Sequence, residues 1–571
     1  MVAGAGAMTM AGASDPFGDV FKYTEKFWKA GKWGWEAGRK WQAGRVRAQV
    51  EAEYGSEIAD AVEAAVINGK DPTPILERAK RAKAEQDERE ALLSNPPPLH
   101  GSAAWAKPEG LSRYLKGREA FDTPSTILLG AYTDDASLTS FVHWDDDGHL
   151  LTIAPTRSGK AQTVIIPNLL RYRGSAIVLD PKGELYAATS AWRAKEVGSV
   201  FRWAPFDEAA SGLPRHGFNP LAAVTNEFGA RSLAEQLFPK DPRSPDFFTD
   251  DAAAFITALI LWIKDTAPKE LHHLGTVHMA ASQPLAAFRR TVEAMAASKI
   301  PTVRAAAENI LGKNVARGLP VLRDTLHTKL SRWGSPELLD SLKADDFNFG
   351  MVKDQPVTIY LDVPFDMMTT YAPVLRLVLK AALDAMLRNR TIPKIPVLFV
   401  LDEFLQLGSF NEFRDAIRTH AGSGVRLWFF LQDIAGIEEH YPDGWKPFFN
   451  CSVRQFFGID DPFTSELVGK YLGVTTVAYR STNAGANVSA QSGGDKGSSS
   501  NVTLSNGETI QLSARPLMTP DEIMALLSGW QDKGWRWGIV DMRGARPFKV
   551  KLSPVSQSAV CTARLGAYRP T

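Results

Sequence analysis

His149-Leu150-Leu151-Thr152-Ile153-Ala154-Pro155-Thr156-Arg157-Ser158-Gly159-Lys160-Ala161 decides the fold. An apolar run enters a tight turn ending in Gly-Lys and leaves through Gln162-Thr163-Val164-Ile165-Ile166. Strand, glycine turn and helix form the layout of a phosphate-binding loop. Backbone N–H groups and a helix N-terminus converge there on an anion, and a lysine reaches the terminal phosphates. Thr156, Arg157, Ser158, Gly159, Lys160, Ala161 and Gln162 are the expected nucleotide cradle. The match to G-x-x-x-x-G-K-[ST] departs at both ends, with Ala154 for the first glycine and Ala161 for the final Ser or Thr.

The second half of such a site is an acidic pair closing a buried strand. Pro396-Val397-Leu398-Phe399-Val400-Leu401-Asp402-Glu403 supplies it. A continuous apolar run of this length fits a central parallel strand covered on both faces, and its carboxyl end is where open α/β sheets bind ligands. Asp402 is expected to hold Mg²⁺, directly or through water. Glu403 is expected to orient and deprotonate the attacking water. A third strand, Val425-Arg426-Leu427-Trp428-Phe429-Phe430-Leu431, ends in Gln432-Asp433. Gln432 is placed to contact the γ-phosphate or the water, and Asp433 to cap a helix. Strand ends carrying the loop, Asp-Glu and Gln in that order describe an α/β, RecA-like P-loop NTPase that uses ATP and Mg²⁺.

Several motifs resemble the TraG/VirD-type coupling proteins of type IV secretion systems. They are Leu99-His100-Gly101-Ser102-Ala103-Ala104-Trp105-Ala106, the Ala154–Lys160 loop, Ile166-Pro167-Asn168-Leu169-Leu170, Val178-Leu179-Asp180-Pro181-Lys182-Gly183-Glu184-Leu185, Phe218-Asn219-Pro220-Leu221 and Ala514-Arg515-Pro516-Leu517-Met518-Thr519-Pro520-Asp521-Glu522-Ile523. The resemblance runs in order through roughly residues 98–550. It implies a hexameric ATPase that recruits a relaxase–DNA complex or protein effectors and passes them to a secretion channel. It also implies that Asp180 and Lys182 lie near the nucleotide, although Asp-Pro at a strand end is ordinary turn chemistry. Ala161 offers Mg²⁺ no hydroxyl, which leaves Thr163 as the nearby candidate metal ligand beside Asp402. An arginine from a neighbouring subunit would complete a ring ATPase, with Arg418, Arg426 and Arg454 as candidates.

That family usually begins with two transmembrane helices. The longest apolar candidate here, Ala252 to Ile263, is far shorter than the roughly 20 residues a span needs. No secretory signal precedes it, so the expectation is a cytoplasmic enzyme recruited to the inner membrane face. Phe21–Arg47 stands where the anchor would be. It interleaves Phe21, Phe27, Trp28, Trp33, Trp35 and Trp41 with Lys22, Lys26, Lys29, Lys32, Arg39, Lys40, Arg45 and Arg47. Such a segment suits a membrane surface, a docking partner in the channel, or nucleic acid.

With 571 residues, 44% hydrophobic and 23% charged, the chain is long enough for several domains. A net charge of +1 advertises no global field for DNA, and two cysteines exclude a disulfide scaffold or cysteine-rich zinc site. Residues 1–97 read as a helical N-terminal extension ending in a Pro96-Pro97-Pro98 linker. Residues 98–224 and 342–571 read as the nucleotide-binding domain, interrupted at 225–341 by an all-α, substrate-recognising insertion. Ser481 to Gly507 reads as a mobile Ser/Gly/Asn-rich loop, and Trp535–Val555 as a β-hairpin. Two other functions stay open: a cytosolic FtsK/HerA-like DNA pump, and a catalytically weak docking adaptor in which Ala161 prevents turnover.

Overall fold

Alternation of apolar side chains along the strands builds the centre of the molecule. The computed structural model describes residues 36–133, 139–207, 211–238, 247–313, 318–490 and 500–566. Phe21–Trp35 of the basic aromatic segment therefore lies outside the described residues. The strands are β1 (Leu115–Lys116), β2 (Ile127–Thr133), β3 (Thr139–Trp144), β4 (Leu150–Ile153), β5 (Ala176–Leu179), β6 (Ser199–Trp203) and β7 (Val357–Leu361). They continue with β8 (Val397–Leu401), β9 (Val425–Leu431), β10 (Val453–Phe456), β11 (Val474–Ala490), β12 (Ser500–Pro516), β13 (Arg536–Met542) and β14 (Phe548–Leu552). Among the described residues, 12 strands form one sheet in the order β1-β3-β2-β14-β13-β10-β4-β9-β8-β5-β7-β6.

From β10 to β6 every pairing is parallel. β13, β14, β2, β3 and β1 extend that sheet in antiparallel sense. Leu151, Ile153, Ile177, Leu179, Phe399, Leu401, Phe429 and Leu431 face one core, and Leu150, Val178, Leu398, Val400, Trp428 and Phe430 face the other. Burial on both faces explains why β8 and β9 are apolar at nearly every position. Helix Glu184–Glu196 packs its buried face into the second core, and helix Ala372–Arg388 packs into the first.

Between β6 and β7 the described residues contain helices and no strand, from Glu227–Leu237 through Pro336–Ser341. Helix Phe247–Thr266 buries Ala252, Phe255, Ile256, Leu259, Ile260 and Ile263 in the first core. No helix among the described residues is long and apolar enough to cross a membrane.

The chain falls into two compact units. The larger comprises Ala103–Gly473 with Pro516–Thr571 and holds the sheet. The smaller joins residues up to Ser102 with Val474–Arg515. Its helices Glu36–Tyr54, Ser56–Ile67 and Thr73–Ser94 share a small core of Val50, Ala59, Val62 and Leu76. Gly101 passes so close to β11 that a Cβ there would sit 2.1 Å from the Val474 carbonyl oxygen, and Thr476 N–H donates to the Gly101 carbonyl. That close approach accounts for the glycine in His100-Gly101-Ser102.

The expectation of a loop over 481–507 needs correction. β11 and β12 pair as a two-stranded ribbon that takes in most of that stretch, with 491–499 outside the described residues. The alternating Thr475-Thr476-Val477-Ala478-Tyr479 and Thr509-Ile510-Gln511-Leu512 ends have strand propensity, and they carry the Ser/Gly/Asn-rich part with them.

Candidate functional site

β4 delivers the phosphate loop to the carboxyl edge of the parallel sheet. Ala154 N–H donates to the Leu431 carbonyl at 2.8 Å, fixing the loop's start beside the end of β9. The chain then turns through Ser158 N–H to the Pro155 carbonyl, with Arg157 at φ 60° and Gly159 at φ 83°. A helical segment begins at Ala161, where Thr163 N–H reaches the Gly159 carbonyl at 2.9 Å. The Thr163 hydroxyl donates to that same carbonyl at 2.9 Å, leaving its lone pairs for an acceptor role. Thr156 and Gln162 flank the turn, and Gln162 is half-buried.

β8 and β9 bring the acids and the amide to the same edge. Lys160 Nζ lies 3.3 Å from Glu403 Oε1 and 3.7 Å from Asp402 Oδ1, and Gln432 Nε2 donates to Glu403 Oε2 at 2.7 Å. All three charged groups are at least nine-tenths buried. Glu403 sits in the left-handed region at φ 52°; it and Arg157 are the two non-glycine residues with positive φ among the described residues. Such a conformation costs about 1 kcal/mol or more and collects at working sites. Burial pushes Asp402 up to about 6, against the pull of Lys160 and the weaker pull of Lys182. Asp402 Oδ1 has no hydrogen-bond partner. A buried carboxylate oxygen left in this state beside a lysine suits a cation held jointly with phosphate, because Mg²⁺ takes one or two carboxylates plus substrate oxygens.

Asp180 lies at the end of β5, but its carboxylate is taken up locally. It accepts the Tyr186 N–H at 2.7 Å and the Leu185 N–H at 3.3 Å at the start of helix Glu184–Glu196. Burial pushes it up to about 8. Lys182 is exposed on the following turn. Asp433 caps helix Ile434–His440 by accepting the Gly436 N–H at 2.7 Å, while Gln432 beside it faces Glu403. Of the three arginines, Arg426 is buried and donates to the Ser125, Asp145 and Asp146 carbonyls. Arg454 is held 2.7 Å from Asp541. Both are committed within the chain, and Arg418 alone of the three is exposed.

Sequence reasoning missed the residues that brace the loop from the antiparallel flank. Arg536, the first residue of β13, donates from Nη1 to the Ser158 carbonyl. Trp530 lies over its guanidinium, 4.4 Å from ring centroid to Cζ. A Cβ on Gly159 would meet the Trp530 ring at 2.9 Å, and one on Gly458 would meet Ser158 Cβ at 2.7 Å and Arg536 Nη1 at 2.9 Å. One signal was available: Arg536 shares the inward phase of β13 with Gly538, Val540 and Met542, where an arginine is out of place.

Comparisons with known proteins agree with this geometry. The profile of the family described as "Type IV secretory system Conjugative DNA transfer" matches residues 120–552. Protein VirD4 of Agrobacterium fabrum is 28% identical over 401 residues, covering 67% of this chain and 58% of VirD4. Conjugal transfer protein TraG of Escherichia coli is 26% identical over 469 residues, covering 75% of this chain and 71% of TraG. The chain thus spans less than two thirds of the VirD4 relative's length. Among solved structures, the bacterial conjugative coupling protein TrwBdeltaN70 in its trigonal form with sulphate shares the fold. Its TM-score is 0.56 at 14% identity, covering 80% of this chain and 94% of that one. With the profile spanning well over half of the sequence, the chain belongs to the type IV secretory system conjugative DNA transfer family.

Proposed function

We propose that this protein is an ATP-hydrolysing coupling protein that recruits a relaxase–DNA complex, protein effectors or both to a type IV secretion channel. The observation that carries the enzymatic part is the buried cluster of Lys160, Asp402, Glu403 and Gln432 at the ends of three adjacent parallel strands. Solved TrwB structures whose titles name the ATP analogue ADPNP, and ADP with Mg²⁺, support the ligand class.

In this reading the Ser158–Ala161 N–H groups and Lys160 bind the polyphosphate. Glu403, released from Lys160 by the incoming phosphate, accepts a proton from water, and Gln432 orients both. Asp402, with Thr163, would hold Mg²⁺, which neutralises charge on the phosphate oxygens when bound. Lys182 reaches the nucleotide from the turn after β5, and Asp180 acts by holding that turn. Arg418 is the residue offered to a neighbouring subunit in a homo-hexamer. Residues 225–341 select cargo, and 1–97 mediate attachment. Phe21–Arg47, basic and aromatic, would make peripheral contact with the inner membrane's cytoplasmic face or with a channel component.

The test is steady-state ATPase activity of the full chain, with and without DNA, for the parent, Lys160→Ala and Glu403→Gln. Both variants are expected to lose turnover. A parent with no activity under any assembly condition would favour the docking adaptor, for which the missing hydroxyl at Ala161 is the specific argument.

A further inference from the structure

Arg536 is 2% exposed, and the described residues give it no anion. Its Nη1 bonds the Ser158 carbonyl, Nη2 reaches the Ser528 carbonyl at 3.4 Å, and Nε has no hydrogen-bond partner. Burial alone lowers it to about 10, with no carboxylate acting on it. A buried guanidinium without a counter-charge is costly. The strand does not need it, since an apolar side chain would suit that phase beside Val540 and Met542. Two glycines nevertheless make room for the arrangement: Gly458 against Arg536, and Gly159 against Trp530.

The peptide between Ser158 and Gly159 supplies the reason. In a trans peptide the C=O and the N–H point in opposite directions. Holding the Ser158 oxygen at Arg536 turns the Gly159 N–H away from β13, toward the side on which a phosphate loop gathers its donors. Gly159, at φ 83°, would otherwise leave this peptide free to flip. The bond is charge-assisted, and it polarises the amide whose N–H is to meet the phosphate.

We propose that Arg536, covered by Trp530, is a positioning residue for nucleoside di- and triphosphates, locking the Ser158–Gly159 peptide in its phosphate-binding orientation and lending an unneutralised charge to polyphosphate recognition. The inference rests on the nucleotide-site reading above. It adds a second cation to the loop, from the antiparallel flank of the same chain.

The experiment measures equilibrium binding of ADP, ATP and inorganic pyrophosphate to the full-length parent, Lys160→Ala, Arg536→Gln, Arg536→Lys and Trp530→Phe. Circular dichroism and ligand-free melting establish that each is folded. Arg536→Gln is expected to weaken all three ligands by about tenfold or more, and Arg536→Lys to recover part of the loss. A nucleotide-dependent change in tryptophan emission is expected in the parent and not in Trp530→Phe. Parent-like affinity in folded Arg536→Gln, with binding lost in Lys160→Ala, overturns this inference and leaves the site reading intact. If Arg536→Gln does not fold, parent-like affinity in Arg536→Lys overturns it in the same way. A parent that binds none of the ligands removes both.

Discussion

Lys160 Nζ sits 3.3 Å from Glu403 Oε1, so the loop's cation and the candidate base neutralise each other inside the protein. Phosphate binding has to separate them, because Lys160 cannot serve a buried carboxylate and a polyphosphate equally. Glu403→Gln removes that competition. It is expected to bind ATP at least as tightly as the parent while losing about 10²–10⁴-fold in turnover. Equilibrium binding and single-turnover hydrolysis on the same preparation check it, and parent-rate hydrolysis would exclude Glu403 as the base. Lys160→Ala is expected to lose binding itself.

Ala161 stands where a hydroxyl usually meets the metal, and the Thr163 hydroxyl points back to the Gly159 carbonyl. Ala161→Thr is therefore expected to lower the Mg²⁺ concentration that gives half-maximal ATPase activity. A titration of Mg²⁺ at fixed ATP reads this directly. An unchanged midpoint would mean that Asp402, water and Thr163 already satisfy the ion.

Phe404 follows the acidic pair and is fully buried, in ring contact with Phe413, Phe429 and Phe448. It holds down the turn that puts Glu403 at φ 52°. Phe404→Ala is expected to cost about 3–5 kcal/mol of stability and to reduce turnover more than ATP binding. Denaturant unfolding together with separate kcat and Kd measurements tests both halves. Loss of stability with normal turnover would show that the turn holds without the ring.

His149 precedes the loop-bearing strand, accepts the Leu427 N–H on Nδ1 at 3.0 Å and is held down to about 4 by burial. Its folded value lies below the unfolded one of about 6.5. Its contribution is therefore fully present above pH 6.5 and is lost as pH falls toward 4. Relative to His149→Gln, the parent is expected to lose about 1.4 kcal/mol per pH unit across that window. Denaturant midpoints of the two proteins at pH 7, 6 and 5 give the slope, and parallel curves would contradict it.

What the sequence made legible was local chemistry in the parallel half. The apolar runs before Ala154, Asp402 and Gln432 have the period and length of doubly covered strands, so a RecA-like sheet with its ligands at the strand ends followed from pattern alone. The antiparallel flank was only half legible. The hairpin of β13 and β14 was readable, but its docking beside β10 depends on long-range register that no local pattern encodes. For that reason the pattern does not reveal Arg536 and Trp530, and it suggests a ligand-facing Asp180 whose oxygens are in fact occupied by the next helix. The ribbon at 474–516 failed for the opposite reason: its composition favours a loop, and pairing overrides it.

The brace from Arg536 to Ser158 links residues 378 positions apart. During synthesis at roughly 5–20 residues per second, the phosphate loop leaves the ribosome tens of seconds before the strand that fixes its peptide. The loop's own flanking strands, β9 and β10, also arrive late. A nascent or prematurely ended chain therefore carries the loop sequence without a formed cradle. Capture of nucleotide has to wait until nearly the whole polypeptide exists, which keeps incomplete chains from joining an ATP-dependent ring.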